Sequence, residues 1–156
     1  MKITTFLTFQ DRAEEAVTLY TSIFKRSKIV SKTYYGDGGP MPKGTVMSIV
    51  FELEGQTFYA LNGGSSFTFT HGISLFVSCE TQAEIDALWA ELTAGGKEVA
   101  CGWLVDRFGV SWQIVPAMMM DLLNDKDAGR AKRAFGAMMG MMKLDIAALK
   151  AAADGA

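Results

Sequence analysis

One histidine, two cysteines and three prolines are all that this chain of 156 residues holds of those types. The scarcity narrows the chemistry. His71 has no partner near it in sequence, neither a second metal ligand nor a base–nucleophile pairing. No Ser-His-Asp arrangement can be inferred, and Cys101 has no activating neighbour. Cys79 and Cys101 could pair, but the opening MKITTFLTF lacks the small-residue cleavage site of an export signal. Two reduced thiols in a cytoplasmic protein are therefore expected. No apolar run approaches the roughly 20 residues that cross a bilayer, so no membrane partner is expected. Neither sign of charge dominates. The net charge is −2 with acids and bases interspersed, which lacks the basic stripe that nucleic acid favours.

What is present is apolar and ordered. Hydrophobic residues make up 49% of the chain, enough for a real core. Ile3–Phe9 reads as a strand, and Asp11 offers a cap to a helix from Arg12 to Phe24. Ala13, Ala16, Val17, Tyr20 and Phe24 share one face of it. Lys28–Tyr35 and Thr45–Leu53 read as strands around the loop GDGGPMPKG, and Glu54-Gly55 turns the chain into Phe58–Asn62. That loop lacks P-loop spacing and leads into a strand; a hairpin over a cavity is its expected role.

The order then starts again. Ile73–Cys79 is a strand. Thr81 and Glu84 spell a capping box before a helix with Ile85, Leu88, Trp89 and Leu92 on its face, and Gly95-Gly96 ends it. Strand-like pieces follow at Glu98–Trp103, Leu104–Asp106 and Ser111–Val115. Glu15, Leu19, Tyr20 and Ile23 match Glu84, Leu88, Trp89 and Leu92, each 69 residues on. The strands before them match at 68, Leu7 with Leu75, if the second turn holds one extra residue. GQTFYAL matches GVSWQIV 54 residues on. The pattern predicts a duplicated βαβββ module. After Pro116, three short helices are expected, with Asp127 and Asp145 as caps and with Phe135, Met138, Met139 and Met142 on one apolar face that packs on the core or on a second subunit.

Period two sorts the strand residues between a helix-covered face and a free face that lines a cavity. Leu7, Phe9, Ile73, Leu75, Val77, Trp112 and Ile114 fall on the helix side. Thr4, Phe6, Thr8, Tyr59, Leu61, Ser74, Phe76, Ser78, Gln113 and Val115 fall on the free side. Gln113, an amide in an apolar strand, needs partners from water, a ligand or a neighbouring side chain, because a bare amide costs about 1–3 kcal/mol. Trp103 is the better pocket candidate of its pair, since Trp112 takes the helix side. Asp106-Arg107-Phe108-Gly109 reads first as a turn, with Asp106 at the cavity mouth as the alternative. Asn62 reads first as a turn residue and second as part of the rim.

The stretches CGWLVDRFGVSWQIVP, FQDRAEEAVTLYTSIFKRSKI, FYALNGG and FVSCETQAEID resemble the PhnB-like subgroup of the vicinal-oxygen-chelate superfamily. That superfamily includes glyoxalase I, bleomycin-resistance proteins and extradiol dioxygenases; the subgroup often carries the label 3-demethylubiquinone 3-methyltransferase. The resemblance implies an α+β fold of paired βαβββ modules in an open, cup-shaped mixed sheet, and a homodimer. The expected layout is a domain over residues 1–116, with modules 1–64 and 71–116, and a helical tail over 117–156.

Metal-using relatives place four His, Gln or Glu ligands at positions that fall here near Thr4, Tyr59, Gly72 and Gln113. Only Gln113 is of a ligand type, so no metal and no cofactor are expected. The expected function is binding of a small, partly aromatic molecule in the cavity. Its candidate contacts are Gln113, Tyr59, Thr8, Phe6, Phe76, Ser74, Trp103, Asp106, Asn62 and His71. A metal-dependent isomerase or lyase, or the methyltransferase of the label, stands as the alternative, and whether the chain is an enzyme stays open.

Overall fold

Strand, helix, strand, strand, strand: the order occurs twice in the computed structural model, which describes residues 1–156. Two compact units contain the repeats, Met1–Thr68 and Phe69–Ala156.

In the first unit, β1 (Thr5–Phe9), α1 (Ala13–Ile23), β2 (Lys28–Tyr34), β3 (Val46–Leu53) and β4 (Gln56–Asn62) follow one another. The sheet order is β1-β4-β3-β2. Only β1 and β4 run parallel, since they alone are joined by a crossover rather than a hairpin. Ala13, Ala16, Val17 and Tyr20 are the buried stripe of α1, at the spacing the sequence predicts. They meet the buried set of β3, Val46, Ile49, Phe51 and Leu53, with Phe58 and Ala60 of β4. Each large side chain so buried contributes about 1.5–3 kcal/mol. The β3–β4 turn needs left-handed backbone at Glu54 and Gly55, with φ of 48° and 86°.

Asp11 does not cap α1. The cap position is Arg12, which makes no side-chain cap bond. The free N–H of Ala13 is taken instead by Asn62 Oδ1, 2.8 Å away at the end of β4.

In the second unit the elements are β5 (Leu75–Cys79), α2 (Gln82–Thr93), β6 (Lys97–Glu98), β7 (Trp103–Val105) and β8 (Ser111–Pro116). The order β5-β8-β7-β6 repeats that of the first sheet, with β5 and β8 parallel. The capping box at Thr81 and Glu84 is formed in both directions and contributes about 1 kcal/mol. Gly96 has no room for a side chain: a Cβ there would lie 2.3 Å from the Val105 carbonyl oxygen.

Three expectations are corrected. Glu98–Trp103 is not one strand, because Cys101 and Gly102 adopt φ of 61° and 80° and turn the chain between β6 and β7. Ile73 lies outside the ladder, since β5 begins at Leu75, and it is 78% exposed rather than packed under α2. The extra turn residue belongs to the first module. Phe6 faces Tyr59 as Phe76 faces Gln113, so these strands are offset by 70 residues, not 68. Three residues separate Phe9 from Ala13, and two separate Cys79 from Gln82. Both modules close with the same bond, Gly63 N–H to the Phe9 carbonyl and Ala117 N–H to the Cys79 carbonyl, each 2.8 Å.

The tail forms α3 (Met119–Leu123), α4 (Ala128–Met139) and α5 (Ile146–Asp154) within the second unit. Asp127 and Asp145 cap the last two, as the sequence predicts. Leu122, Ala134, Leu144, Leu149 and Ala153 close around Val115 and Met119. Val115, expected on a free face, is thus covered by the tail at 7% exposure. Phe135, Met139 and Met142 remain exposed, whereas Met138 packs against the cluster. Backbone bonds from Cys101 to Met141 (2.7 Å) and from Gly102 to Met142 (2.8 Å) tie the tail to the β6–β7 turn. The Gln82 amide reaches it from α2, donating to the Leu144 carbonyl and accepting from Ile146 N–H. No helix is long and apolar enough to cross a membrane.

Candidate functional site

Each sheet carries a helix on one face, and the polar and aromatic candidates collect on the other. On the second sheet, Gln113 in β8 pairs with Phe76 of β5 on one side and Trp103 of β7 on the other. Directly opposed residues share a face, so the three side chains form one row across the sheet. Phe76 is 53% exposed, Trp103 and Gln113 are half-buried, and Leu75, Leu104 and Trp112 alternate to the α2 side. The Gln113 amide has found a neighbour: Nε2 donates to Ser74 Oγ at 2.8 Å. Its Oε1 accepts no bond from the protein. Two residues earlier on the same face, the buried hydroxyl of Ser111 lies 3.2 Å from His71 Nδ1. Ser111 is absent from the sequence-derived candidates, although its parity with Gln113 places it on this face.

The corresponding row of the first sheet is Phe6, Tyr59 and Val50. Phe6 and Tyr59 stack with ring centroids 5.7 Å apart and planes 6° apart. Thr8, half-buried, flanks Gly63 together with Phe67. The first row is therefore apolar and aromatic, and the second has an amide where the first has a phenol.

Two candidates are drawn inside, which corrects their placement at a rim or mouth. Asn62 is 4% exposed: its Oδ1 holds Ala13, its Nδ2 donates to the Val46 carbonyl at 2.9 Å, and its main-chain carbonyl accepts from the Tyr35 hydroxyl at 2.5 Å. Asp106 is 3% exposed. Its Oδ1 accepts from Phe108 and Val110 N–H at 2.9 and 3.0 Å, and its Oδ2 accepts from Trp112 Nε1 at 2.9 Å. Both side chains are buried and bonded to groups of the protein's own backbone and, for Asp106, to the Trp112 indole.

The cysteines are free thiols. Burial, with Glu84 and Glu80 nearby, pushes the Cys79 thiol up to about 11, which keeps it protonated and inert at neutral pH. No three His, Cys, Asp or Glu side chains gather where a cation could sit. The side chains at the four positions of metal-using relatives do not fit a divalent ion. Gly72 has no side chain to give and the Tyr59 ring is stacked on Phe6, which leaves the Gln113 amide oxygen as too few donors for one.

The sequence pattern of 3-demethylubiquinone-9 3-methyltransferase matches residues 1–115, so the match ends where the helical tail begins. A PhnB protein from Bacillus cereus is 43% identical, with a TM-score of 0.70 over 75% of this chain and 100% of its own. A protein from Pseudomonas aeruginosa shares the fold at 21% identity and a TM-score of 0.62, over 74% of this chain and 97% of its own. The fosfomycin resistance protein FosX from Listeria monocytogenes, solved with Mn(II) and sulfate, shares it at 12% identity and a TM-score of 0.51, over 80% and 95%. No curated protein matches. The duplicated βαβββ sheets, the pattern over residues 1–115 and the likeness to the Bacillus PhnB protein agree: this chain belongs to the 3-demethylubiquinone-9 3-methyltransferase family.

Proposed function

We propose that this protein binds a small planar aromatic molecule on the open face of its second sheet, without a catalytic metal. The observation that carries the reading is the row Phe76–Gln113–Trp103. An exposed Phe76 and a half-buried Trp103 flank an amide with acceptor capacity to spare, an apolar and polar combination suited to a ligand. Neighbouring strands lie about 4.8 Å apart, so the backbones of Phe76 and Trp103 stand about 9.6 Å apart across β8. A flat ring held between two others needs two contact distances, about 7–8 Å.

Methyl transfer is not the reading taken from the family's name. Each sheet has a single parallel pair and no doubly wound arrangement with a Gly-rich turn after its first strand. The same reading includes a homodimer, motivated by the exposed Phe135, Met139 and Met142 of the tail. It also includes the cytoplasm, motivated by the two free thiols.

The environment-sensitive dye 8-anilinonaphthalene-1-sulfonate tests the site. Its fluorescence rises on binding at micromolar concentration. Phe76→Ala and Trp103→Ala each weaken it about 10-fold, the loss expected for removing one stacked ring. Phe135→Ala, in the tail, leaves it unchanged. Equal affinity in all four proteins would sink the reading.

A further inference from the structure

We propose that the second unit holds a soft monovalent cation, Cu(I), between the Cys101 thiolate and the Met139 thioether. The proposal goes beyond the binding reading above, and neither ligand belongs to the row Phe76–Gln113–Trp103.

The two sulfurs are 38 residues apart in sequence and meet where the β6–β7 turn touches the tail. The Cys101 thiol donates to Met139 Sδ at 3.6 Å. Main-chain bonds bring them together. The N–H groups of Cys101 and Gly102 donate to the Met141 and Met142 carbonyls at 2.7 and 2.8 Å, which seats the turn on the stretch 138–142. Gly102 lets the turn sit that close: a Cβ there would lie 2.8 Å from the Ile114 carbonyl oxygen and 3.0 Å from Leu144 Cδ1. Met139 ends α4 and is 54% exposed, and Cys101 is half-buried, so an ion reaches both from solvent. Cys79, the other thiol, is sealed in and stays protonated.

The donor set selects the ion. Residues 99–103 and 138–142 read VACGW and MMGMM, with no carboxylate, imidazole or hydroxyl among them. Hard cations need oxygen ligands, and a structural zinc needs four donors drawn from thiolate, imidazole and carboxylate. Thiolate and thioether are soft, and Cu(I) is satisfied by two or three of them. At a sulfur–metal distance of about 2.3 Å, three sulfurs around one ion lie about 4.0 Å from one another. Cys101 and Met139 then part by only about 0.4 Å, a movement that an exposed, unbranched Met side chain makes easily. Met142, exposed and tied through its carbonyl to Gly102, supplies the third sulfur. On binding, the thiol gives its proton to solvent and no electron moves.

The test titrates Cu(I) into the reduced, full-length protein under nitrogen, in competition with the Cu(I) chelator bicinchoninate. The expected result is one equivalent of Cu(I) drawn from the chelator, with X-ray absorption showing sulfur neighbours only. Cys101→Ser abolishes the uptake. Met139→Leu, which keeps the size and removes the sulfur, weakens it about 10-fold or more, and Met142→Leu weakens it as well. Met138→Leu, a change in the packed cluster, leaves it unchanged. A parent protein that takes no Cu(I) from the chelator overturns the site. So does a Met139→Leu protein that binds as tightly as the parent, because the thiol would then act alone, and so does Cu(I) retained by Cys101→Ser. An unchanged Met142→Leu protein overturns the third ligand only. The stoichiometry and the absorption spectrum come from the unaltered protein, so the site is tested even where a variant folds poorly.

Discussion

Asp106→Ala lowers the melting temperature of the second module by about 6–12 °C. The arithmetic follows from what the carboxylate does. It accepts two main-chain N–H groups and the indole N–H of Trp112, all from a side chain that is 3% exposed. Alanine removes the acceptor and leaves three donors in a place with little water. One orphaned buried donor costs about 1–3 kcal/mol. Some relaxation of the 106–110 loop recovers part of the loss, so about 3 kcal/mol is the expected total, with each kcal/mol worth about 2–4 °C. Asp106→Asn separates the contributions. Its carbonyl can still serve Phe108 and Val110, but its NH2 meets the Trp112 N–H donor to donor. It should fall between the parent protein and the alanine variant. A shift under about 2 °C for Asp106→Ala would show that the turn holds itself, and the role given to this carboxylate would be wrong.

Asn62→Ala has the second large effect, about 2–4 kcal/mol in the first module. The side chain joins three elements. It caps the N-terminus of α1 through Ala13, ties to β3 through the Val46 carbonyl, and ends β4 itself. Ala13 is fully buried, so water cannot replace the lost acceptor. Native-state hydrogen exchange gives the local readout: the Ala13 amide should exchange at least 10-fold faster in the variant, with amides of α2 unaffected. Unchanged protection at Ala13 would contradict the capping role.

These two residues mark where the sequence stopped being legible. Asn62 and Asp106 stand in turn-forming stretches, and an Asn or Asp beside glycine reads as local turn chemistry. Asp106 obeys that reading through Phe108 and Val110. Asn62 does not, because its partner Ala13 is 49 residues away and no local pattern announces the pairing. The α1 cap was misread for the same reason. Asp11 is a good cap by composition, yet the acceptor comes from another element.

The faces of the strands were legible because the error in the repeat was even. An offset of 68 instead of 70 slides a strand by two residues and returns every side chain to the same face. Phe6 and Phe76 therefore fall on the side expected of them, although they correspond at 70 residues rather than 68, and Tyr59 and Gln113 correspond at 54 residues as the sequence predicts. Ile73 failed because apolarity was read as burial, when the residue precedes the first ladder bond of β5. Val115 failed because its cover is the tail, which packs by tertiary contact and leaves no periodic trace in β8. Ser111 could have been found from its parity with Gln113. Its pairing with His71 across 40 residues could not.

A crystal structure of the protein with 8-anilinonaphthalene-1-sulfonate tests the central claim most directly. The account predicts the naphthyl ring over Gln113, between Phe76 and Trp103. Density for the ring elsewhere, or a metal cation bonded to Gln113 in its place, would contradict it.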